Sequence, residues 1–240
     1  MKLSILMPVY NEEERLADAL KQALAVDYPC EIEMVVVDDG SRDRTGEVLA
    51  GIDDPRLRVI THPRNAGKGA AIRTAVQNAE GDYMVILDAD LEYDPQDIPK
   101  LLSPVLDGRA TVVYGNRTFG SHSAFSFWYV MGNKAVTTAA NMLYNSYIGD
   151  LETCFKLMPL ALYRELDIRS RGFGMEAEVT GKLLRRRIRP YEVPISYRAR
   201  TREEGKKITW KDGVEALWIL GRERIRRPSP AGVGGAAPRS

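Results

Sequence analysis

The sequence has few cysteines and histidines and no long hydrophobic run. Cys30 and Cys154 are its only cysteines, and their spacing matches neither a zinc site nor a disulfide framework. No stretch approaches the roughly 18 consecutive apolar residues of a membrane-spanning helix. The first residues form a short apolar run that meets acidic residues at once, so we expect neither a signal peptide nor a transit peptide. These absences argue against an integral membrane protein, a disulfide scaffold and a cysteine-based zinc protein, and they favour a reducing cytoplasm.

The composition indicates a globular chain with an uneven charge distribution. Hydrophobic residues make up 44% of the 240 residues and charged residues 28%, which suits one large α/β domain or two small ones. Residues 182–227 carry 15 Lys and Arg against 6 Asp and Glu, whereas the remainder carries 19 against 27. This split predicts an anionic partner for the C-terminal part, such as a phosphate or a membrane surface. No RNA- or DNA-binding motif accompanies the basic stretch, so we do not expect a nucleic-acid partner.

Segments with strand and helix patterns alternate along the chain. The β-branched and apolar runs predict strands at 2–9, 32–37, 57–61, 83–87, 111–115, 151–157 and 189–196. Helical spacing predicts a helix that Asn11 would cap, and further helices at about 45–51, 68–79, 95–106, 123–145, 175–187 and 208–227. Residues 228–240 are rich in Pro, Gly and Ala, which predicts a disordered tail. The alternation predicts a mostly parallel α/β sheet that binds ligands at the carboxyl ends of its strands.

Carboxylates follow the predicted strand 83–87 directly. Asp88, Asp90 and Glu92 lie at alternate positions as the chain leaves this strand, so their side chains could converge on one cation. Oxygen ligands of this kind suit Mg²⁺ or Mn²⁺. The alternative is a solvated acidic turn.

Two more loops end at the same predicted edge. Asp38 or Asp39, in Asp38-Asp39-Gly40-Ser41, could hold a base edge or ribose hydroxyls, and the alternative is a tight turn. Lys68, in Asn65-Ala66-Gly67-Lys68-Gly69, could lie near a diphosphate, although the loop lacks the full Walker pattern and could instead be a flexible helix start.

Isolated cations and histidines carry less information. Arg117, Lys156, Arg200 and Lys206 lie near predicted loops, where such side chains are usually solvated. His62 and His122 are solitary, and we assign neither of them a catalytic or metal-binding role.

Taken in order, these stretches resemble the family 2 glycosyltransferases of GT-A fold. The likeness runs from Pro8-Val9-Tyr10-Asn11-Glu12 through the two loops and Asp88-Ala89-Asp90 to about Gly213. Within that family the sequence looks most like the dolichyl- and polyprenyl-phosphate mannose or glucose synthases. The resemblance implies a single GT-A domain over 1–227, with a nucleotide-binding half at about 1–117, an acceptor-side half at about 118–207 and an amphipathic helix at about 208–227.

The resemblance also implies roles for individual residues. The nucleotide sugar would be held by Pro8, Tyr10, Glu12, Asp38, Asp39, Lys68, Asp88 and Ala89. The metal ion, Mg²⁺ or Mn²⁺, would be held by Asp88, Asp90 and Glu92. The acceptor side would include Asp150, Glu152, Lys156, Glu176 and Glu178, with Lys156 standing where the family commonly has arginine. Catalysis would depend on Asp90 and on the phosphate-facing cations Arg117, Arg200 and Lys206, the last two in a loop that closes over phosphate.

Two reactions are compatible with this arrangement. The first is inverting transfer of mannose or glucose from GDP-mannose or UDP-glucose to polyprenyl phosphate. That acceptor is already ionised and therefore needs no general base. The second is transfer by a soluble enzyme to a hydroxyl group, for which Asp150, Glu152, Glu176 or Glu178 would serve as base. The helix at 208–227 could pack onto the core or touch anionic lipid or a membrane-protein partner, so we expect a cytoplasmic protein that can lie at the inner membrane face.

Overall fold

The computed structural model describes residues 1–118, 127–172, 174–199 and 210–226. Its strands are β1 (Lys2–Val9), β2 (Glu31–Asp38), β3 (Leu57–Thr61), β4 (Tyr83–Ile86), β5 (Val113–Asn116), β6 (Lys156–Pro159) and β7 (Tyr191–Pro194). In the described part of the chain they form a seven-stranded sheet with the order β3-β2-β1-β4-β6-β5-β7. β6 runs antiparallel to both of its neighbours, and the other neighbouring pairs are parallel. This confirms the predicted mostly parallel α/β sheet within a single domain.

The central strands are mostly apolar because both faces of the sheet are covered. Leu3, Ile5, Leu6 and Met7 of β1 have no exposed surface, a pattern typical of buried parallel strands. The β1–β2 register pairs Val9 with Asp38. These two strands therefore end together, and the loops that follow them start from the same edge of the sheet.

Helices cover the sheet, and three of them also pack on one another. They are α1 (Leu16–Leu24), α2 (Thr45–Ala50), α3 (Lys68–Asn78), α4 (Ile98–Leu106), α5 (Phe127–Tyr144), α6 (Leu160–Leu166), α7 (Met175–Arg185) and α8 (Trp210–Ile225), and a short 3-10 turn (Pro95–Asp97) leads into α4. α3 packs on β1 and β2, whereas α5, α7 and α8 pack on one another around a second small apolar cluster. None of the helices in the described ranges is long and apolar enough to cross a bilayer.

Two regions of the described chain differ from the predicted elements. Leu151 to Phe155 turn rather than extend, so the strand predicted at 151–157 starts only at Lys156, and the unpredicted helix α6 follows it. α1 begins at Leu16 without a cap from Asn11, because Asn11 has a φ of 55° and its side chain accepts a hydrogen bond from the Arg42 amide. The predicted phosphate-closing loop with Arg200 and Lys206, His122 and the tail 228–240 lie outside the described residues.

Candidate functional site

A cleft of about 410 Å³ lies at the carboxyl edge of the sheet. It is framed by the ends of β1, β4 and β5, the loop before α3, the turn before β6, and the first turns of α7 and α8. The predicted site residues that line it are Pro8, Tyr10, Glu12, Asp39, Lys68, Asp88, Ala89, Asp90, Glu92, Arg117, Glu152 and Glu176. Residues spread over the first three quarters of the chain thus meet in one place, as expected for strands that end at a common edge.

Asp39 fixes the loop that precedes α3. Its carboxylate accepts hydrogen bonds from the backbone amides of Ala66 and Gly67, the latter at 2.7 Å, and it lies 2.6 Å from Nδ1 of His62. The other ring nitrogen of His62 lies 2.9 Å from the Thr74 hydroxyl of α3. His62, to which we assigned no role from sequence, is therefore a structural link between the Asp39 loop and α3.

The glycines of this loop allow a close backbone approach. The Gly69 amide donates to the Arg171 carbonyl oxygen at 2.7 Å, and a Cβ atom on Gly69 would lie 2.2 Å from the Ser170 carbonyl oxygen. Gly67 has a φ of 96°, and a Cβ atom there would lie 2.4 Å from the Arg171 oxygen. Only glycine fits at either position, so these glycines let the loop pack directly against residues 170–171.

Lys68 places a cation on the floor of the cleft. Its Nζ lies 2.8 Å from Oδ2 of Asp88 and 3.0 Å from Oε1 of Glu176, and only 15% of its side chain is exposed. Burial opposes the charged form, but Asp88 and Glu176 outweigh it and raise the pKa of Lys68 well above its ordinary value. The lysine therefore stays protonated and links the end of β4 to the start of α7.

Asp88 and Asp90 are the carboxylates of the cleft that could hold a divalent cation. Both are partly exposed in the cleft, and Leu91 turns the chain after them with a φ of 61°. Glu92 is buried, and its carboxylate accepts a hydrogen bond from the Tyr197 hydroxyl. Within the described residues no three His, Cys, Asp or Glu side chains are grouped closely enough to form a complete metal site. Two carboxylates nevertheless fit Mg²⁺ or Mn²⁺, which commonly take their remaining ligands from substrate phosphates and water.

Arg117 follows β5 and projects into the cleft, where the buried carboxylate of Asp150 holds its side chain. Its Nε and Nη2 donate to the two oxygens of Asp150 at 2.6 and 2.8 Å, and its guanidinium carbon lies 5.0 Å from the centre of the Tyr197 ring. Although burial favours the neutral acid, Arg117 holds the pKa of Asp150 below its ordinary value. Nη1 makes no hydrogen bond within the described part of the chain, so it can serve an anionic ligand.

Four predicted site residues do not reach the cleft. Asp38 accepts a hydrogen bond from the Ser41 amide in its own turn. Asp150 lies beneath Arg117, and Lys156 is buried with Nζ donating to the carbonyl oxygens of Leu151 and Thr153. Glu178 pairs with Lys182 at 2.6 Å and accepts from the Ser170 amide, and these donors lower its pKa although burial opposes them. The structure thus gives these four side chains internal partners.

Glu152 is the predicted acceptor-side acid that shares the cleft with Glu176. Burial is the largest influence on Glu152 and raises its pKa, with Asp150 and Glu176 adding to the effect and Arg117 opposing it. A carboxylate whose pKa is raised in this way is a stronger base than an ordinary glutamate side chain.

Several cleft residues were not singled out from the sequence. They include Asn65, Tyr93, Cys154, Tyr197 and Asp212. The Tyr93 hydroxyl accepts a hydrogen bond from the Cys154 amide, and its ring packs 4.9 Å from that of Phe155. Burial raises the pKa of the Cys154 thiol well above its ordinary value. Cys154 therefore lines the cleft as a neutral thiol and is not a nucleophile.

Comparison with known sequences identifies the family. The sequence profile described as glycosyl transferase family 2 matches residues 4–167, which is more than half of the chain. The chain belongs to glycosyl transferase family 2. The matched segment carries the cleft residues of the β1, β4 and β5 ends, together with Lys68 and Glu152.

Similar family 2 proteins include two with described substrates or pathways. An undecaprenyl-phosphate 4-deoxy-4-formamido-L-arabinose transferase from Proteus mirabilis is 38% identical over 112 residues, which cover 45% of this chain and 34% of that protein. The low-salt glycan biosynthesis hexosyltransferase Agl6 from Haloferax volcanii is 29% identical over 205 residues, which cover 84% of this chain and 49% of that protein. The chain thus spans between about a third and a half of the length of these relatives.

Solved structures show the same fold at low sequence identity. Glucosyl-3-phosphoglycerate synthase from Mycobacterium tuberculosis, in complex with UDP, matches with a TM-score of 0.71 and 18% identity over 97% of this chain and 83% of that one. S. aureus TarS 1–349, in complex with UDP-GlcNAc, matches with a TM-score of 0.63 and 18% identity over 93% of this chain and 66% of that one. These likenesses confirm the GT-A glycosyltransferase fold of the family 2 chain.

Proposed function

We propose that this chain transfers a sugar from a nucleotide-diphosphate donor to a polyprenyl phosphate. The observation that carries the proposal is the meeting of Lys68, Asp88, Asp90 and Arg117 in one cleft of a family 2 fold. A sugar transferase must neutralise the charge that develops on the departing diphosphate, and fixed cations in a partly buried site do this efficiently.

The donor would lie along the loops that follow β1, β2 and β3. Tyr10, Glu12 and the loop held by Asp39 offer contacts for the nucleoside, and Lys68 lies beside the carboxylates that would hold the metal ion. When bound to Asp88 and Asp90, Mg²⁺ or Mn²⁺ would act as a Lewis acid toward the diphosphate. The glucosyl-3-phosphoglycerate synthase neighbour has been crystallised with Mn²⁺ and UDP, which supports divalent metal use in this fold.

The acceptor would approach from the side of Arg117. Asp150 holds this guanidinium in a fixed orientation, so Nη1 can meet a phosphate oxygen without further ordering of the side chain. Arg200 and Lys206 lie outside the described residues, and their contribution to phosphate binding stays a prediction. A polyprenyl-phosphate acceptor is supported by the described reaction of the Proteus relative and would place the enzyme at a membrane surface, on the cytoplasmic side if it acts beside a soluble nucleotide sugar.

The position of Glu152 supports a second candidate function. If the acceptor is a hydroxyl, a carboxylate must take its proton, and Glu152 combines a place in the cleft with a raised pKa. Asp150 and Glu178 are unsuited to this role because each is buried on a cation and has a lowered pKa. Glu152→Gln distinguishes the candidates, since loss of a general base reduces kcat by about 100-fold or more, whereas transfer to an ionised phosphate needs no such base.

The proposal is tested by a donor screen. The purified chain is incubated with Mg²⁺ or Mn²⁺, polyprenyl phosphate and one radiolabelled donor at a time, beginning with GDP-mannose and UDP-glucose. We expect label in the organic phase with at least one donor. Failure of every donor to label the lipid, together with transfer to a water-soluble acceptor, would overturn the proposal in favour of the second candidate.

A matched pair of variants tests the assignment of the metal carboxylates. Asp90→Asn removes a negative charge from the cleft. Asp94→Asn removes one from the exposed cap of the 3-10 turn, where in the described structure the Asp94 side chain accepts a hydrogen bond only from the Gln96 amide. We expect Asp90→Asn to lose about 100-fold or more of kcat/KM and Asp94→Asn to keep it, since asparagine is also a good cap. Equal activity of the two variants would contradict the metal assignment.

A further inference from the structure

Helix α8 is held to the protein by one of its faces. Ala216, Ile219 and Leu220 are buried in the cluster with α5 and α7. The hydroxyl of Tyr144 in α5 donates to the Leu220 carbonyl oxygen at 2.9 Å. This face of α8 therefore packs on α5 and α7 in the second apolar cluster.

The opposite face of α8 is apolar and exposed. Val214, Leu217, Trp218 and Ile225 are exposed by 56%, 40%, 61% and 84%. Their spacing of three, four and seven residues places them together on the outward side of the helix. A surface helix ordinarily presents polar residues there, and a grouped set of exposed large apolar side chains indicates an interaction surface.

The charges beside this face favour an anionic partner. Lys211, Arg224 and Arg226 are exposed, and the Arg222 guanidinium lies 4.8 Å from the centre of the Trp218 ring. Of the acids on α8, Asp212 faces the cleft, Glu223 is fully buried against Arg185, Arg222 and Arg226, and Glu215 remains exposed. Cations therefore outnumber carboxylates around the outward apolar residues.

α8 also connects this face to the cleft. Asp212 and Ala216 line the cleft from the same helix whose outer side carries Val214 and Trp218. A helix with its side chains is about 10–12 Å across, so whatever covers the outer face lies one helix diameter from the cleft wall. A tryptophan beside arginines is a common arrangement at a membrane–water interface.

We propose that the outward face of α8, formed by Val214, Leu217, Trp218 and Ile225 with Lys211, Arg222 and Arg224, docks on an anionic lipid bilayer. The apolar side chains enter the headgroup region, and the basic side chains contact lipid phosphates. The purpose of this docking rests on the proposed function, because a polyprenyl phosphate is presented from a bilayer and its phosphate must reach the cleft beside α8.

The test is flotation of the full chain with vesicles that contain neither polyprenyl phosphate nor a donor. Vesicles of phosphatidylcholine alone are compared with vesicles in which about a third of the lipid is phosphatidylglycerol. The α8 variant is Trp218→Ser with Ile225→Ser. Its matched control is Leu106→Ser with Val59→Ser, which removes two apolar side chains of 49% and 40% exposure from elsewhere on the surface. Circular dichroism confirms that each variant is folded.

We expect the wild type and the control to bind the anionic vesicles, and the α8 variant to bind at least about tenfold more weakly. Absence of wild-type binding, or equal binding by all three proteins, would overturn the proposal. The proposal would also be overturned if the wild type does not bind vesicles but self-associates through the α8 face in sedimentation, because a second copy of the chain would then cover this face. The readout is independent of transfer, so a chain that binds vesicles and transfers no sugar would refute the proposed function alone.

Discussion

The buried pair of Arg117 and Asp150 gives a sharp stability prediction for Asp150→Asn. Asp150 is fully buried and accepts four hydrogen bonds, three from Arg117 and one from Asn133. Asparagine has nearly the same shape, but it replaces an anionic oxygen with an amide donor that faces other donors. Arg117 then lies in the cleft wall without its counter-charge. Removing one partner of a buried pair costs about 3–5 kcal/mol, and we expect the lower end here because Arg117 borders the cleft.

Urea unfolding measures this loss against a matched control. Asp107→Asn breaks an ion pair with Arg109 that is equally short, at 2.6 Å, but has side chains exposed by 52% and 54%. Exposed pairs contribute at most about 1 kcal/mol. Asp150→Asn should therefore lower the urea midpoint far more than Asp107→Asn does, and for a chain of this size its Tm should fall by about 6–12 °C.

The pH dependence of the same pair provides the refuting result. Because the folded-state pKa of Asp150 is lowered, its stabilising contribution is present above the unfolded value of about 3.9 and is lost as the pH falls through the folded value. The stability difference between wild type and Asp150→Asn should thus be constant near neutrality and shrink in acid. A loss at pH 7 no larger than that of Asp107→Asn would refute the account of Arg117 as a cation held by a buried carboxylate.

Two further predictions concern other buried features. Burial lowers the pKa of Lys156 to about 8, so between about pH 8 and 10.4 the folded state binds fewer protons than the unfolded state. The stability of the wild type should therefore rise with pH over this range. Lys156→Met should flatten the rise in urea midpoints, and an unchanged slope would contradict the prediction. Gly69→Ala should destabilise the chain and weaken nucleotide binding, because the new Cβ atom would lie 2.2 Å from the Ser170 carbonyl oxygen. At Gly221 a Cβ atom would meet nothing within 4 Å, so Gly221→Ala should stabilise α8 by about 0.5–1 kcal/mol. Equal stability of the two alanine variants in calorimetry would contradict the argument from close backbone approach.

Much of the fold and part of the site follow from local patterns. Asp88 and Asp90 follow β4 within four residues, and parallel strands bring their carboxyl ends to one edge, so their place in the cleft was predictable from the residues alone. For Lys68 and Arg117 the residues alone left a helix start or a solvated surface cation open, and the family resemblance placed both beside the nucleotide and phosphate groups. The family resemblance added Tyr10 and the other cleft residues whose types are not informative alone.

The rest depends on partners that are distant in sequence. Asp150 forms an ion pair with Arg117, which lies 33 residues earlier in the sequence, and no local pattern shows that this acid will be buried. The predicted strand at 151–157 was wrong in its first half because Lys156 draws Leu151 and Thr153 into a turn around its ammonium group. Glu176 and Glu178 are separated by about 200° around α7, so they could not both face the cleft, and helix geometry alone would have predicted that only one does.

The identity of the acceptor group is the most direct test of the proposed function. The donor that passes the screen is incubated with the chain and either polyprenyl phosphate or the matching polyprenol, and the lipid product is identified by mass spectrometry. We predict a sugar linked through phosphate to the polyprenyl phosphate and no product from polyprenol. Glycosylation of polyprenol, or of a water-soluble hydroxyl compound alone, would contradict the account.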